Sequence, residues 1–370
     1  MEAIAVTPKK RTVEIINQAE PNILSPTDVK LRMLEAGVCG TDKEICAFEY
    51  GVPPSGSEQL VIGHESLGEV VEIGSKVTRV KIGDLVVPMV RRPCYHDDCV
   101  ACRADHQDFC FTGDFQERGI KERHGFMAQF VVDDEKYMNP VPQEMRDVAV
   151  LVEPLTIAEK GLTQVWQVQQ RLPWSCPVTP GTATAHCHRA VVLGAGPVGL
   201  LGAMATVNYD FDTYVYSRES APNSKSQLLE SIGAHYISSE SITPEMLPQL
   251  IGNIDLVYEA TGASSLSFEM MKYLGINGIF IFTGVPGRKG PIEVDTDLMM
   301  RNLVLKNQVV FGTVNAGRES FENSIRDLGT FTKRWPDAVR SLITGRFPMD
   351  AYGDLLLGRS GGIKNVIQLN

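Results

Sequence analysis

The sequence predicts an α/β protein with two domains, a β-rich domain followed by a doubly wound parallel sheet. Three observations predict this fold class. The chain has 370 residues, which is more than one ordinary core accommodates. Short β segments punctuated by glycines fill the chain up to residue 150. From residue 189 onward, strands and helices alternate, as they do in a parallel sheet with helical crossovers.

The composition narrows the classes of function. Apolar residues make up 43% and charged residues 22%, the mix of a globular protein. A formal net charge of −10 argues against a nucleic-acid partner, because binding phosphates requires a basic face. No apolar run is long enough to span a membrane, and residues 1–10 show no signal-peptide pattern. The expectation is a cytoplasmic protein without a nucleic-acid or membrane partner.

In the β-rich part, runs of β-forming residues between turn signals predict the strands. They are Ala3–Val6, Asp28–Glu35, Gly68–Val71, Leu85–Val90 and Phe126–Val132. Glycines separate the runs at the intervals expected of a compact barrel.

The second part is predicted from its alternating pattern. Strands are expected at Arg189–Gly194, Thr213–Arg218, Ile254–Ala260 and Gly278–Gly284, and helices at Pro197–Val207, Ser224–Ile232, Leu266–Leu274 and Glu319–Leu328. Ser224 is the expected N-cap of its helix, and Gly233 ends it. The expected domains are residues 1–188, residues 189–313, and a tail, residues 314–370, that returns to the first domain.

The segment Lys160–His188 is rich in Gln, Pro and Thr, and it reads as a connecting loop. It contains Cys176, His186, Cys187 and His188. A metal site in this segment is the less favoured alternative, because the spacing fits no standard pattern.

A glycine fingerprint follows the first strand of the second part and opens a helix. It comprises Gly194, Ala195, Gly196, Pro197, Val198 and Gly199. The first glycine allows a tight turn, the second lets the backbone approach a pyrophosphate, and the third lets helix pack on strand. The diphosphate then lies at the helix N-terminus, which favours an anion. The fingerprint predicts a nicotinamide dinucleotide.

The end of the next strand indicates which dinucleotide. Ser217 carries no charge that would repel a 2′-phosphate, and Arg218 can pair with one. Glu219 is the counter-argument, because a shift of two residues would place its carboxylate on the ribose. The sequence favours NADP and leaves NAD possible.

Two sets of residues predict zinc. Cys94, Cys99, Cys102 and Cys110 can close a tetrahedron of thiolates around a structural ion, and disulfides are the less favoured alternative. Cys39, His64 and Glu153 supply sulfur, nitrogen and oxygen for a catalytic zinc with one open position. Glu65 is either a ligand or a partner of one. Thr41 could relay the proton that leaves the substrate alcohol.

Taken together, these residues resemble the zinc-containing branch of the medium-chain dehydrogenase/reductase superfamily. The segments GVCGTD, GHE, GSKVTRVKIGD and GAGPVG carry the resemblance over essentially the whole chain. The sequence is most similar to microbial glucose (aldose) dehydrogenases, through VRRPC, QDFCFTGDFQERGI, HGFMAQFVVDDEKY and EPLTIAEK.

The resemblance implies a GroES-like β-barrel catalytic domain and a Rossmann domain. It implies oxidation of a sugar-like alcohol at an aldose C1 with NAD(P), and a homodimer or homotetramer. The implied metal residues are Cys39, His64, Glu65 and Glu153. Thr41, Glu117 and Asn315 would contact the sugar, with Asn315 also near the nicotinamide. Ser217 and Arg218 would select the phosphate, and Thr261 and Gly284 would complete the cofactor site.

The sequence departs from the family where polar sugar-binding positions become Val90, Ile157 and Leu305. Since a site loses discrimination when its hydrogen-bonding groups become apolar, we expect glucose to be a weaker substrate, or the true substrate to carry an apolar group. The first gap between the lobe cysteines is also two residues longer than usual. A polyol, amino-alcohol or cyclitol dehydrogenase is the alternative within the same chemistry, and a zinc-free NADPH-dependent reductase is the alternative outside it.

Overall fold

The structure is a computed structural model that describes residues 1–174, 176, 187–287 and 290–369. The β-strands are β1 Glu2–Thr7, β2 Thr12–Asn17, β3 Asp28–Gly37, β4 Leu60–Val61, β5 Glu65–Ile73, β6 Leu85–Pro88, β7 Arg91–Arg92, β8 Gln116–Arg118, β9 Glu122–Arg123, β10 Phe130–Asp134, β11 Met138–Val141, β12 Arg189–Leu193, β13 Asp212–Ser217, β14 His235–Ser238, β15 Leu256–Glu259, β16 Ile279–Phe282, β17 Val309–Gly312, β18 Ile343–Phe347 and β19 Lys364–Gln368.

The α-helices are α1 Gly40–Cys46, α2 Val100–Arg103, α3 Val152–Gln169, α4 Pro197–Asn208, α5 Ser224–Ser231, α6 Leu247–Ile251, α7 Ser264–Met271, α8 Thr296–Leu305, α9 Arg318–Arg334 and α10 Pro336–Leu342. In the described ranges no helix is both long enough and apolar enough to cross a bilayer. The chain divides into two compact units: residues 1–156 with 315–370, and residues 157–314.

The first unit is the GroES-like β domain that the sequence predicted. Its main sheet runs β11-β6-β5-β3-β19-β18, with β10 also paired to β3. Smaller sheets, β2-β1-β4 and β7-β8-β9, complete it. A core of buried aliphatic residues from β1, β3, β5 and β6 lies inside, and Val6, Leu31, Val70 and Val86 are among them. Because β19 pairs with β3, the end of the chain reaches the same sheet as GVCGTD and GHE.

The second unit is the predicted Rossmann fold. Its six strands are parallel in the order β14-β13-β12-β15-β16-β17, so the sequence order reverses between β12 and β15. Ligands of such sheets bind outside the carboxyl ends of the strands at this reversal. The four strands that the sequence predicted in this unit, β12, β13, β15 and β16, lie within a few residues of their predicted positions, whereas β14 and β17 were not predicted.

Two local expectations were wrong. Residues 160–169 are not loop but the second half of α3, because apolar Leu162 and Val165 recur one turn apart and are buried. The N-cap of α5 is Asn223, not Ser224: the Asn223 side chain accepts hydrogen bonds from the amides of Lys225 and Ser226. The asparagine precedes the serine by one residue, and both are favoured caps.

The remainder of the predicted linker holds a disulfide that the sequence did not predict. Cys176 and Cys187 are bonded to each other. His188 places Nε2 2.6 Å from the carbonyl oxygen of Trp174 and Nδ1 3.4 Å from Asp255 Oδ1. His186 lies outside the described residues. The two cysteines are eleven residues apart in the sequence.

Candidate active site

Three of the predicted metal-binding side chains lie together in the first unit. The donor atoms of Cys39, His64 and Glu65 all lie within 4.8 Å of one another. Cys39 is the N-cap of α1, whereas His64 and Glu65 stand where the chain enters β5. Gly63, just before them, has φ +91, and an added Cβ would lie 2.5 Å from the Met127 side chain. A glycine is therefore required for the turn that presents His64.

Asp42 hydrogen-bonds the cysteine and lies beside the histidine. Its Oδ2 accepts a hydrogen bond from the amide of Cys39 at 2.9 Å, and its Oδ1 lies 3.3 Å from His64 Nδ1. A carboxylate on Nδ1 leaves Nε2 as the nitrogen that can bind a metal. Burial lowers the pKa of His64, but Asp42 and Cys39 outweigh it and hold the pKa well above its ordinary value.

Glu65 is held by a lysine from the far end of the chain. Lys364 Nζ lies 2.5 Å from Glu65 Oε2 and 3.1 Å from the carbonyl oxygen of Val38, and both charged side chains are buried. A Cβ at Gly37 would lie 2.3 Å from that same Glu65 oxygen, so only glycine leaves room for the carboxylate. Glu65 is thus fixed by an ion pair, whereas its role as ligand or as partner of one stays open.

Glu153 belongs to the same buried group of charges, although it is not one of the three clustered donors. It lies in the first turn of α3. Burial raises its pKa to about 7, His64 and Lys364 act against the shift, and Glu65 and Asp42 add to it. Asp42, Glu65 and Glu153 thus share one buried region with Lys364 and His64. Sulfur, imidazole and carboxylate donors are a set that fits zinc.

The predicted sugar contacts Glu117 and Asn315 also meet in this unit. Asn315 Nδ2 donates a hydrogen bond to Glu117 Oε1 at 2.9 Å. The pKa of Tyr50 is raised by burial and then by Glu117, whereas Arg91 and His64 oppose the shift. Gly119, two residues after Glu117, packs against the turn that presents His64, since a Cβ added to Gly119 would lie 2.4 Å from the Gly63 carbonyl oxygen. The end of β8 therefore lies close to that turn. Thr41, half-buried in the first turn of α1, follows Cys39 by two residues.

The four-cysteine lobe is compact, and its thiols are free. The sulfurs of Cys94, Cys99, Cys102 and Cys110 all lie within 4.8 Å of one another, and none of them is in a disulfide. Backbone amides of Cys102 and Phe111 lower the pKa of Cys99, which favours the thiolate. The four residues between Cys94 and Cys99 are exposed, so the longer gap bulges outward while the sulfurs stay together. Four convergent thiols without other packing fit a structural zinc ion.

In the second unit, the glycine fingerprint has the geometry of a pyrophosphate cradle. Gly194 has φ +99, and a Cβ on Gly199 would lie 2.1 Å from the Gly194 carbonyl oxygen, so helix and strand touch there. Gly196 caps α4, Pro197 occupies the first turn, and nothing lies within 4 Å of a Cβ built on Gly196. Open space before the free amides of a helix N-terminus suits a bound phosphate.

The end of β13 carries the residues that would distinguish NADP from NAD. Ser217 is the last residue of this strand, and Arg218 beside it is exposed. The Glu219 carboxylate accepts a hydrogen bond from Lys225 Nζ at 2.6 Å, and the Glu219 carbonyl oxygen accepts one from the Tyr236 hydroxyl. The Glu219 carboxylate is therefore paired with Lys225 at the surface. Ser217 carries no negative charge, and Arg218 can pair with a 2′-phosphate.

Buried Glu259 connects the other predicted cofactor positions. Its Oε1 accepts hydrogen bonds from the amide and the hydroxyl of Thr261, both at 2.6 Å, and its Oε2 accepts one from the Gly284 amide at 3.0 Å. Glu259 ends β15, and the loops that it ties lie at the carboxyl ends of two adjacent strands. This is the edge of the sheet where dinucleotides bind.

The three apolar departures occupy different environments. Val90 is 2% exposed and belongs to the core of the first unit, Ile157 is half-buried, and Leu305 is 65% exposed at the end of α8. Val90 therefore offers little surface to a substrate in this conformation, so its effect on sugar recognition stays a prediction.

Sequence reasoning missed three residues of the site. Asp42 lies in the GVCGTD segment and Arg91 in the VRRPC segment, but the sequence alone predicted no role for either residue. Lys364 had no local signal, since β19 reaches Glu65 only through its pairing with β3.

Comparisons with known proteins agree with this geometry. Residues 146–369 match the family described as glucose dehydrogenase C-terminus, and residues 25–143 match the alcohol dehydrogenase GroES-like domain. The chain belongs to the zinc-type glucose dehydrogenase family. Its similarity to a glucose 1-dehydrogenase of Methanocella arvoryzae is 37% identity over 100% of this chain and 99% of the relative. The corresponding protein of Thermoproteus tenax is 36% identical over the same shares.

A solved glucose dehydrogenase has the same fold. The Haloferax mediterranei glucose dehydrogenase, in complex with NADP, Zn and gluconolactone, is 31% identical and superimposes with a TM-score of 0.88 over 100% of this chain and 99% of its own. An alcohol dehydrogenase of Thermotoga maritima, 22% identical with a TM-score of 0.81, agrees in fold. The family therefore accounts for both the GroES-like domain and the Rossmann domain.

Proposed function

We propose that this protein is a zinc-dependent aldose 1-dehydrogenase that oxidises the C1 hydroxyl of a cyclic sugar to the lactone and reduces NADP⁺. The clustered Cys39, His64 and Glu65 donors are the observation that carries the proposal. The Rossmann unit of the same chain supplies the binding site for NADP⁺, which accepts the hydride. The Haloferax relative, which holds NADP, Zn and gluconolactone, supports the same chemistry.

Cys39, His64 and Glu153 would hold the catalytic zinc, with Glu65 as a fourth donor or as a partner of one. Zinc in this donor set supplies Lewis-acid polarisation of the substrate oxygen, which makes the alcohol easier to deprotonate near neutral pH. Asp42 keeps His64 in the orientation that frees Nε2, and Lys364 holds Glu65. Thr41 would accept the departing hydroxyl proton and pass it to solvent.

Glu117 and Asn315 would orient the sugar by hydrogen bonds to its ring hydroxyls. The two side chains share a hydrogen bond, and Gly119, just after Glu117, packs against Gly63, the residue before His64. A site built from such groups rejects an alcohol that lacks the matching hydroxyls, because buried polar atoms would then be left unpaired. Recognition of a sugar rather than a simple alcohol follows from this pair.

In the Rossmann unit, residues 194–199, Thr261 and Gly284 would hold the dinucleotide, and Ser217 with Arg218 would take its 2′-phosphate. We predict that Ser217→Asp shifts preference from NADP toward NAD, because a carboxylate repels the phosphate and accepts ribose hydroxyls. The ratio of kcat/KM values for the two cofactors is expected to fall by about 10- to 100-fold, the effect of one charge on a bound phosphate.

Ser231→Asp, an added carboxylate at the end of α5 on the same unit, is the matched control and should leave that ratio unchanged. An unaltered ratio in Ser217→Asp would show that the 2′-phosphate is read elsewhere.

The function itself is tested by initial rates of NADP⁺ reduction with a panel of aldoses, polyols and simple alcohols. We expect turnover with at least one aldose, formation of its lactone, and loss of turnover after zinc is removed by a chelator. Turnover restricted to polyols would replace the proposal by the polyol alternative. NADP⁺ reduction with none of these substrates would overturn it.

We also propose that the protein forms a homodimer or homotetramer. In the described part of the chain, β17 is an edge strand of the six-stranded sheet, and nearby α8 exposes Met300, Val304 and Leu305 to solvent. Apolar side chains beside an open edge form a surface suited to a second copy. Light scattering after size-exclusion chromatography is the test, and a monomer at micromolar concentration would contradict this proposal.

A further inference from the structure

The inference concerns Arg91, a buried arginine beside the sugar-contact candidate Glu117. Arg91 lies on β7 directly opposite Glu117 on β8. Its Nε and Nη2 both donate to Glu117 Oε1, at 3.0 and 2.9 Å. Its Nη1 donates to the carbonyl oxygen of Asp108 at 3.2 Å, and its guanidinium lies 3.7 Å from the centre of the Phe115 ring. The guanidinium is therefore held on three sides.

The hydrogen bonds at Glu117 are distributed unequally between its two oxygens. Oε1 accepts two bonds from Arg91 and a third from Asn315 Nδ2. Among the described residues, no hydrogen bond ends on Oε2. An ionised carboxylate has about two acceptor sites on each oxygen. Oε1 is therefore saturated from within the protein, and Oε2 keeps its acceptor capacity for a ligand.

A purely structural role does not explain this arrangement well. Both side chains of the pair are about 6% exposed, and such a pair adds little net stability because desolvation offsets the attraction. The chain also contains an ordinary version of the same pair. Arg32 and Glu69 lie opposite each other on β3 and β5, and Arg32 Nη2 is 2.6 Å from Glu69 Oε2, but both are substantially exposed. The Arg91 pair is the buried version of this pair.

We propose that Arg91 is a positioning residue for the sugar: it saturates Glu117 Oε1 and so directs Oε2 to the substrate hydroxyls. The proposal deepens the proposed function and rests on Glu117 as a sugar contact. Asn315 Nδ2 donates the third hydrogen bond to Glu117 Oε1. Its backbone is in the left-handed region, with φ +57, which an asparagine tolerates.

A double-mutant cycle tests this inference in the zinc-loaded protein. In Arg91→Met, we expect KM for the aldose to rise by about 10- to 100-fold, the effect of losing a charge-assisted hydrogen bond to substrate. The KM for NADP⁺ and the zinc content are expected to change little, whereas the melting temperature should fall, because removing one partner of a buried ion pair is destabilising. In the Glu117→Gln background, the same replacement should change KM for the aldose by less than about twofold, because coupled residues are not additive.

Arg91→Lys is the second variant, in case Arg91→Met folds poorly. It keeps the charge but cannot reproduce the fork on Oε1, so an intermediate rise in KM for the aldose is expected. Arg32→Met, which breaks the exposed pair, is the matched control and should leave that KM unchanged.

The outcomes separate the two proposals. If Glu117→Gln leaves KM for the aldose unchanged, Glu117 is not a sugar contact and that part of the proposed function fails. If Glu117→Gln raises KM but Arg91→Met and Arg91→Lys do not, Glu117 binds the sugar without help from Arg91. Equal effects of Arg91→Met in both backgrounds would also overturn the inference, since Arg91 would then act independently of Glu117.

Discussion

Replacing Cys39 by alanine is expected to abolish NADP⁺ reduction while leaving dinucleotide binding intact. The sulfur is one of three donors within 4.8 Å, and without it a carboxylate and an imidazole hold the ion poorly. Metal polarisation contributes several kcal/mol and each 1.4 kcal/mol is tenfold in rate, so kcat should fall by at least about 1,000-fold. Metal analysis should show zinc falling from two ions per chain to one, and cofactor titration should be unchanged.

Cys46 offers the matched control, because it ends the same helix as a buried thiol. Burial, with Asp42, raises the pKa of Cys46 to about 12, and its sulfur is not one of the clustered donors. Cys46→Ala should retain two zinc ions and most of the turnover. Normal turnover in Cys39→Ala would remove the catalytic zinc from this position.

The largest expected effect on stability is at Asp133, where one carboxylate serves three arginines. Its Oδ2 accepts hydrogen bonds from Arg92 and Arg118, and its Oδ1 lies 3.1 Å from Arg123 Nη2. Arg92 and Arg118 are buried with it. Asp133→Asn keeps the shape but leaves these guanidinium charges uncompensated. We expect the free energy of unfolding to fall by about 3–5 kcal/mol, as when one partner of a buried ion pair is removed.

The same group predicts how stability depends on pH. Burial raises the pKa of Asp133, but Arg118, Arg92 and Arg123 outweigh it and hold the pKa far below its ordinary value. A lowered folded pKa stabilises the protein above the unfolded pKa of about 4, and this contribution is lost as pH falls further. The free energy of unfolding, measured with denaturant, should therefore change less between pH 7 and pH 3 for Asp133→Asn than for the natural sequence.

Asp134→Asn is the matched control for this prediction. Asp134 is adjacent but only half-buried, and it bonds the Thr27 hydroxyl and the Lys136 amide rather than an arginine. A small loss of stability is expected. Equal losses in the two variants would show that the arginine cluster does not depend on Asp133.

The sequence predicted most of the fold because its strongest signals are local. Glycines with positive φ, such as Gly63 and Gly194, mark turns that other residues disfavour. Strand and helix periods are likewise properties of short segments. The errors have local causes too: α3 begins in an apolar stretch and ends among glutamines, so its second half resembled a linker.

For the site, the sequence identified the donors but not the groups that hold them. Cys39, His64 and Glu153 have side chains whose chemistry alone suggests a metal. Asp42 and Lys364 are ordinary charged residues, and they gain a role only when His64 and Glu65 lie beside them. The role of Arg91 likewise depends on the strand pairing that places it opposite Glu117.

The sequence by itself predicted a dinucleotide site and two zinc sites, because spacing and residue type specify thiolates, imidazoles and a phosphate-binding turn. Only the tertiary structure decided which charges neutralise one another. It paired Glu219 with Lys225 and Glu65 with Lys364, and it directed the Arg91 guanidinium to one carboxylate oxygen of Glu117. Such pairings depend on distances of a few ångströms between residues that are far apart in the chain, and Coulomb energies in a buried site vary steeply with that distance.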